Sequence, residues 1–124
     1  MKTKTILMAL TFVLIITSCG NKTESTVVEN KTEIVNGVAT STFKVWGNCE
    51  MCKETIEGSL NIDGVSKADW SPETKVMDVS YDTTKISLDQ IQKNIASVGY
   101  DNEKYKGDDA KYSALPECCQ YNRK

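Results

Sequence analysis

Gly47-Asn48-Cys49-Glu50-Met51-Cys52 follows the alternating run Thr42-Phe43-Lys44-Val45-Trp46 and opens a segment of helical periodicity. Two thiols three positions apart at a strand–helix junction can face one another across a single turn. The helix N-terminus supplies unpaired amides and the positive end of the dipole, which favour thiolate over thiol. Two such thiolates make a soft site for Cu(I), Zn(II) or another thiophilic ion. The same pair also suits a redox disulfide, so the motif alone leaves both uses open.

Outward from this stretch the pattern stays regular. Cys52, Ile56 and Leu60 recur at helical spacing, with Lys53, Glu54 and Glu57 on the other face. Asp63-Gly64 marks a turn before a strand through Val65, Ala68 and Trp70. Ser71-Pro72-Glu73-Thr74 is a second turn, since proline presets the required dihedral and cannot sit in a central ladder. Met77, Val79 and Tyr81 alternate with Asp78 and Ser80, so the two strands should form an antiparallel hairpin. Ser87-Leu88-Asp89-Gln90 reads as a capping box. The helix it opens should bury Leu88, Ile91, Ile95 and Val98 and stop at Gly99. Asn102 to Lys106 is expected as a short last strand. This order predicts an α+β, ferredoxin-like βαββαβ sandwich, a four-stranded antiparallel sheet with two helices on one face. Ile56, Leu60, Ile91 and Ile95 should then pack against Phe43, Val45, Met77 and Val79. Trp46 and Trp70 are expected to pack rather than to recognise a ligand.

Composition narrows the chemistry. The 124 residues carry a formal charge of −2 and no basic cluster, so nucleic-acid binding is not expected. Histidine is absent, which removes the commonest general base and leaves cysteine to carry soft-metal chemistry. No phosphate loop and no nucleophile–base pair is present, so the expectation is a protein that is not an enzyme.

Five cysteines are present, and Cys19 stands apart from the others. Lys2 and Lys4 form a basic start, and Ile6 to Ile16 is an apolar stretch too short for a usual spanning helix. Ile16-Thr17-Ser18-Cys19 resembles the lipobox of bacterial lipoproteins, in which cleavage precedes a cysteine that becomes lipidated. That resemblance implies a signal peptide over residues 1–18 and lipidation of Cys19, the alternative being an ordinary secretory signal. Removing residues 1–18 takes away two lysines and no acid, so the charge moves from −2 to −4. Residues 19–40 read as a flexible, lipid-anchored tether, too polar to order itself, with an edge strand around Glu33–Val38 as the alternative. The regular domain is expected over residues 41–106.

Residues 107–124 form a tail containing Cys118-Cys119. Adjacent cysteines rarely bridge to each other, because the geometry strains the intervening peptide. Pairing with Cys49 or Cys52, added ligation of the same ion, and a separate thiol site remain open. Pro116, Tyr112 and Tyr121 favour a tail that docks and brings sulfur towards Cys49 and Cys52. Met51, between the first two thiols, is expected to face solvent or pack locally.

Over residues 41–106 the chain resembles heavy-metal-associated domains, found in copper chaperones, copper-ATPase N-termini and periplasmic mercury-binding proteins. The likeness rests on the Cys49/Cys52 pair, Thr55-Ile56-Glu57, Gly64-Val65, Thr74-Lys75, Val79-Ser80-Tyr81-Asp82 and Val98-Gly99-Tyr100-Asp101. It implies that Cys49 and Cys52 are metal ligands and that Tyr100 shields the metal. One departure is visible. Gly47-Asn48 precedes the first cysteine where the family usually has a longer segment with a methionine that packs beneath the loop.

The reading that follows is an exported, lipid-anchored protein of the cell envelope, facing the periplasm or cell surface. It would bind Cu(I) through Cys49 and Cys52, with sulfur from Cys118 and Cys119, and transfer or sequester the ion. A metal-transporting ATPase or another metal-accepting protein is the expected partner. An exported thiol–disulfide protein, or a Hg(II) or Zn(II) binder of the same fold, is the alternative.

Overall fold

A computed structural model describes residues 32–123. The stretch read as a signal peptide, Cys19 and the stretch read as a tether, as far as residue 31, lie outside the described residues. The strands are β1 (Thr32–Val35), β2 (Val38–Lys44), β3 (Val65–Trp70) and β4 (Val76–Asp82). The main helices are α1 (Glu50–Gly58) and α2 (Leu88–Ser97); α3 (Asp109–Ser113) and a 3₁₀ turn at Glu117–Cys119 lie in the tail. The strands form one antiparallel sheet in the order β1-β2-β4-β3. With two helices on one face, this is the expected ferredoxin-like class.

The core follows from the period-two pattern of the strands. Ala39, Phe43 and Val45 from the β2 side and Met77, Val79 and Tyr81 of β4 are buried on one face. Ile56, Leu60, Ile91 and Ile95 are buried in the same cluster, as expected from their helical spacing. The capping box at the start of α2 is complete: Ser87 Oγ accepts from the Gln90 amide, and the Gln90 side chain accepts from the Ser87 amide. Gly99 ends the helix at φ +98°, in the left-handed region that suits glycine.

Two expectations are corrected. Asn102–Lys106 is not a strand, and only a single bridge, Val45 to Asn102, joins it to the edge of the sheet. The cause is Asn102 itself. Its Oδ1 accepts from the amides of Lys104 (3.1 Å) and Tyr105 (2.9 Å), which turns the chain before a ladder can extend. The fourth strand comes instead from the region read as tether, where the alternative reading places an edge strand. Thr32–Val35 pairs with Val38–Ser41. The turn between them, Asn36-Gly37, has φ of +51° and +81°, the left-handed pair of a tight hairpin. Residues 32–40 therefore belong to the folded body.

The tail is docked. Gly107 crosses so close to Gly99 that a Cβ on Gly107 would lie 2.5 Å from the Gly99 carbonyl carbon. The Asp108 amide donates to the Ala96 carbonyl (2.8 Å), and the Asp108 side chain caps α3 by accepting from the Lys111 amide. The phenol of Tyr121 accepts from the Asp101 amide (2.7 Å) and donates to the Gly99 carbonyl (2.9 Å). Its ring stacks on Tyr100 at 5.7 Å between centroids and meets Tyr112 edge-on at 5.1 Å. Arg123 then clamps the end. Its guanidinium donates to buried Asp101 (2.7 Å), to the Gly107 carbonyl (2.6 Å) and to Asp109 (2.6 Å).

Candidate metal centre

Cys49 is the N-cap of α1, in extended conformation, and Cys52 lies one turn inside the helix. Their sulfurs are 3.6 Å apart. The Cys52 amide, with a further contribution from the Met51 amide, stabilises the Cys49 thiolate and lowers its pKa. This is the helix-terminus effect expected from the sequence. Cys52 is buried, and its sulfur accepts from the Asn48 amide at 3.3 Å.

The tail brings the other two thiols to the same place. Cys119 Sγ is 4.0 Å from Cys49 Sγ, and Cys118 Sγ is 3.9 Å from Cys119 Sγ. Asn48 Nδ2 donates to the Cys118 carbonyl at 3.4 Å, tying the 3₁₀ turn to the loop before α1. The sulfurs of Cys49, Cys118 and Cys119 all lie within 4.8 Å of one another. Among the described residues the four cysteines are free thiols. Burial, with Cys52 alongside, pushes the Cys119 thiol up to about 12, so it is protonated until an ion displaces the proton.

Tyr100 closes the inner side. It is fully buried, and its hydroxyl has no hydrogen-bond partner among the described residues. Burial first, and then the neighbouring sulfurs of Cys52 and Cys119, raise its pKa and keep it protonated. A buried O–H without a partner near these cysteines is a donor available to thiolates. The residues singled out from sequence, Cys49, Cys52, Cys118, Cys119 and Tyr100, thus converge on one spot. Cys19 lies outside the described residues.

Two features add to the reading from sequence. Met51, expected to face solvent or pack locally, is half-exposed, but its sulfur lies 3.9 Å from Cys118 Sγ. Trp70 fills the space beneath the loop. A Cβ on Gly47 would lie 2.8 Å from the indole, and the indole N–H donates to the Val45 carbonyl at 3.0 Å. The shortened loop, lacking the family's methionine, therefore rests on an aromatic from β3.

The spacing of these sulfurs carries chemical meaning. With metal–thiolate bonds of about 2.3 Å, neighbouring sulfurs stand roughly 4 Å apart around a trigonal ion, about 3.8 Å around a tetrahedral one and about 4.6 Å across a linear one. The separations of 3.6, 3.9 and 4.0 Å fit three or four sulfurs per ion better than a linear pair.

Comparison with known proteins agrees with the site. The heavy-metal-associated domain model matches residues 42–101. The chain is 39% identical over 66 residues to the "Copper chaperone CopZ" of Staphylococcus saprophyticus, covering 52% of this chain and 97% of that one. It is 40% identical over 55 residues to the protein of the same name from Staphylococcus aureus strain Newman, covering 44% of this chain and 81% of the other. Among solved structures, oxidized MerP from Ralstonia metallidurans CH34 is 32% identical, covers 53% of this chain and 94% of its own, and superposes with a TM-score of 0.50. The family match ends at residue 101, so Cys118 and Cys119 lie beyond it.

Proposed function

Because this chain belongs to the heavy-metal-associated domain family and is a copper-chaperone-like heavy-metal-binding domain, we propose that it binds Cu(I) and transfers or sequesters it outside the cytoplasm, held to a membrane by a lipid on Cys19. The observation that supports this best is the convergence of Cys49, Cys52, Cys118 and Cys119 on one partly shielded spot. Cu(I) is soft, accepts two or three sulfurs, and exchanges ligands without a change of oxidation state. A site rich in thiols and lacking imidazole suits it.

The chain's own residues divide the work. Cys49 gives up its proton more readily than an ordinary thiol, since the α1 amides stabilise the charged form. Cys52 and Cys119 lie deeper, and the Tyr100 phenol faces them as a donor while its ring excludes water from the inner side. Cys118 is exposed and stands where an incoming or departing thiol ligand could reach it. Transfer then proceeds by exchanging one sulfur at a time with an acceptor, a metal-transporting ATPase or another metal-accepting protein. No bond of a substrate is made or broken, so we propose no enzymatic step.

The likeness to MerP, together with the periplasmic mercury-binding members of the family, favours Hg(II) as the second reading. The full chain, purified anaerobically, should carry or accept Cu(I) in competition with a chelator of known affinity. Cys49→Ser or Cys52→Ser should remove most of that affinity, and the double change Cys118→Ser/Cys119→Ser should weaken it without abolishing it. Unchanged Cu(I) affinity in the Cys49 and Cys52 variants would sink the proposal. Tighter retention of Hg(II) than of Cu(I) against a competing dithiol would favour the second reading.

A further inference from the structure

The sulfurs at the mouth of the site do not form one compact tetrahedron. They run as a chain: Cys52 to Cys49 at 3.6 Å, Cys49 to Cys119 at 4.0 Å, Cys119 to Cys118 at 3.9 Å, and Cys118 to the thioether of Met51 at 3.9 Å. The compact group of ligand atoms is Cys49, Cys118 and Cys119, and it does not include Cys52. Cys52 is instead fully buried and touches Cys49. Five sulfurs are one more than a tetrahedral ion can hold and two more than a trigonal one needs.

We propose that this cluster holds two thiophilic monovalent ions, the second on an outer site made by Met51 and Cys118 with Cys119 as the bridging thiolate. The inference rests on reading the cluster as a Cu(I) site. The inner ion takes Cys49, Cys52 and Cys119. The outer ion takes Cys119, Cys118 and the Met51 thioether. Each ion has two of its three sulfur pairs close to the roughly 4 Å that a trigonal ion with bonds of about 2.3 Å imposes, and side-chain rotation brings in the third.

Charge and surroundings agree with two ions. Four thiolates around one monovalent cation would leave a threefold negative charge beside the buried Tyr100 and Tyr121; a second cation lowers it to two. Each thiol that becomes a ligand releases its proton to solvent, and no electron is transferred. Met51 and Cys118 are exposed while Cys52 and Cys119 are buried, so the outer site faces solvent and the inner one does not. Met51 also suits its position chemically. A neutral thioether binds Cu(I) without adding charge to a cluster that already carries four thiolates.

Cu(I) titration of the full chain under anaerobic conditions tests this, with a chromogenic Cu(I) chelator as competitor and native mass spectrometry to count ions per monomer. The parent should take up two ions. Met51→Leu keeps the side-chain volume on an exposed helix position but removes the sulfur. It should weaken the second ion by about tenfold or more and leave the first within about twofold. Cys118→Ser should bind one ion. Saturation of the parent at one ion, or two ions in Met51→Leu with unchanged affinities, would overturn the outer site while leaving the Cu(I) reading intact. Failure of the parent to bind any Cu(I) would overturn both.

Discussion

Arg123→Ala is the perturbation that bears most directly on how this site is assembled. Arg123 is 18% exposed and Asp101 only 1%, and the guanidinium reaches both carboxylate oxygens (2.7 Å to Oδ1, 3.4 Å to Oδ2). It also stacks on the Tyr112 ring at 4.5 Å and donates to the Gly107 carbonyl. Alanine removes this guanidinium from the buried Asp101 carboxylate, which also accepts from the Gly107 amide at 2.7 Å. Removing one partner of a buried ion pair costs about 3–5 kcal/mol. The tail can release part of that cost by undocking and letting water reach Asp101. Undocking exposes Tyr121 and Cys119, now 3% and 1% exposed, and offsets the gain by losing their burial and the ring contacts. At about 1.4 kcal/mol per tenfold, a shift of 3 kcal/mol changes the population of undocked tail by roughly a hundredfold. The assay is the rate at which a thiol reagent labels Cys119 in the metal-free chain carrying Ser at the other four cysteines. Labelling should accelerate by one to two orders of magnitude in Arg123→Ala, on the same estimate. In the chain with all cysteines intact, Cu(I) affinity should fall towards that of the Cys118→Ser/Cys119→Ser variant. Unchanged labelling with unchanged affinity would show that Arg123 does not hold the tail, and would refute the reasoning.

Ile95→Ala removes a fully buried side chain from α2 and should cost about 2–5 kcal/mol in a denaturant titration; a loss below about half a kilocalorie would place that face in solvent. Asp89 is held below the usual carboxylate range by Lys104, then by Lys93 and Tyr105. A depressed folded pKa gives stability that is present above the unfolded value of about 3.9 and lost as pH falls through the folded one. Asp89→Asn should therefore be less stable at neutral pH and show a flatter loss of stability below about pH 4; parallel curves for parent and variant would exclude this role. Cys19→Ser should abolish fatty-acid labelling and cleavage at the lipoprotein site in cells, and persistent labelling would remove the anchor from the proposal.

Much of this protein was legible in its sequence because the relevant signals are local. Alternation in β2 and β4, helical spacing of Ile56, Leu60, Ile91 and Ile95, the Ser87–Gln90 box and the stop at Gly99 each depend on neighbours within a few residues. Cys49 as a stabilised thiolate was likewise readable, because its amide partners follow it directly in the chain. The hairpin at Val35-Asn36-Gly37-Val38 was legible too, since Asn-Gly between apolar residues is a strong turn signal. The polar composition of the surrounding stretch outweighed it. Pro116, Tyr112 and Tyr121 already favoured a docked tail that brings sulfur towards Cys49 and Cys52, but only the tertiary structure decided how the sulfurs meet. Gly107 passes over Gly99, Tyr121 settles on Tyr100, and Arg123 locks onto Asp101, contacts between residues 8 to 22 positions apart. These set Cys118 and Cys119 beside Cys49, about 70 residues earlier. No periodicity encodes such a meeting, because it depends on shape fit between surfaces that exist only once the sheet and both helices have formed.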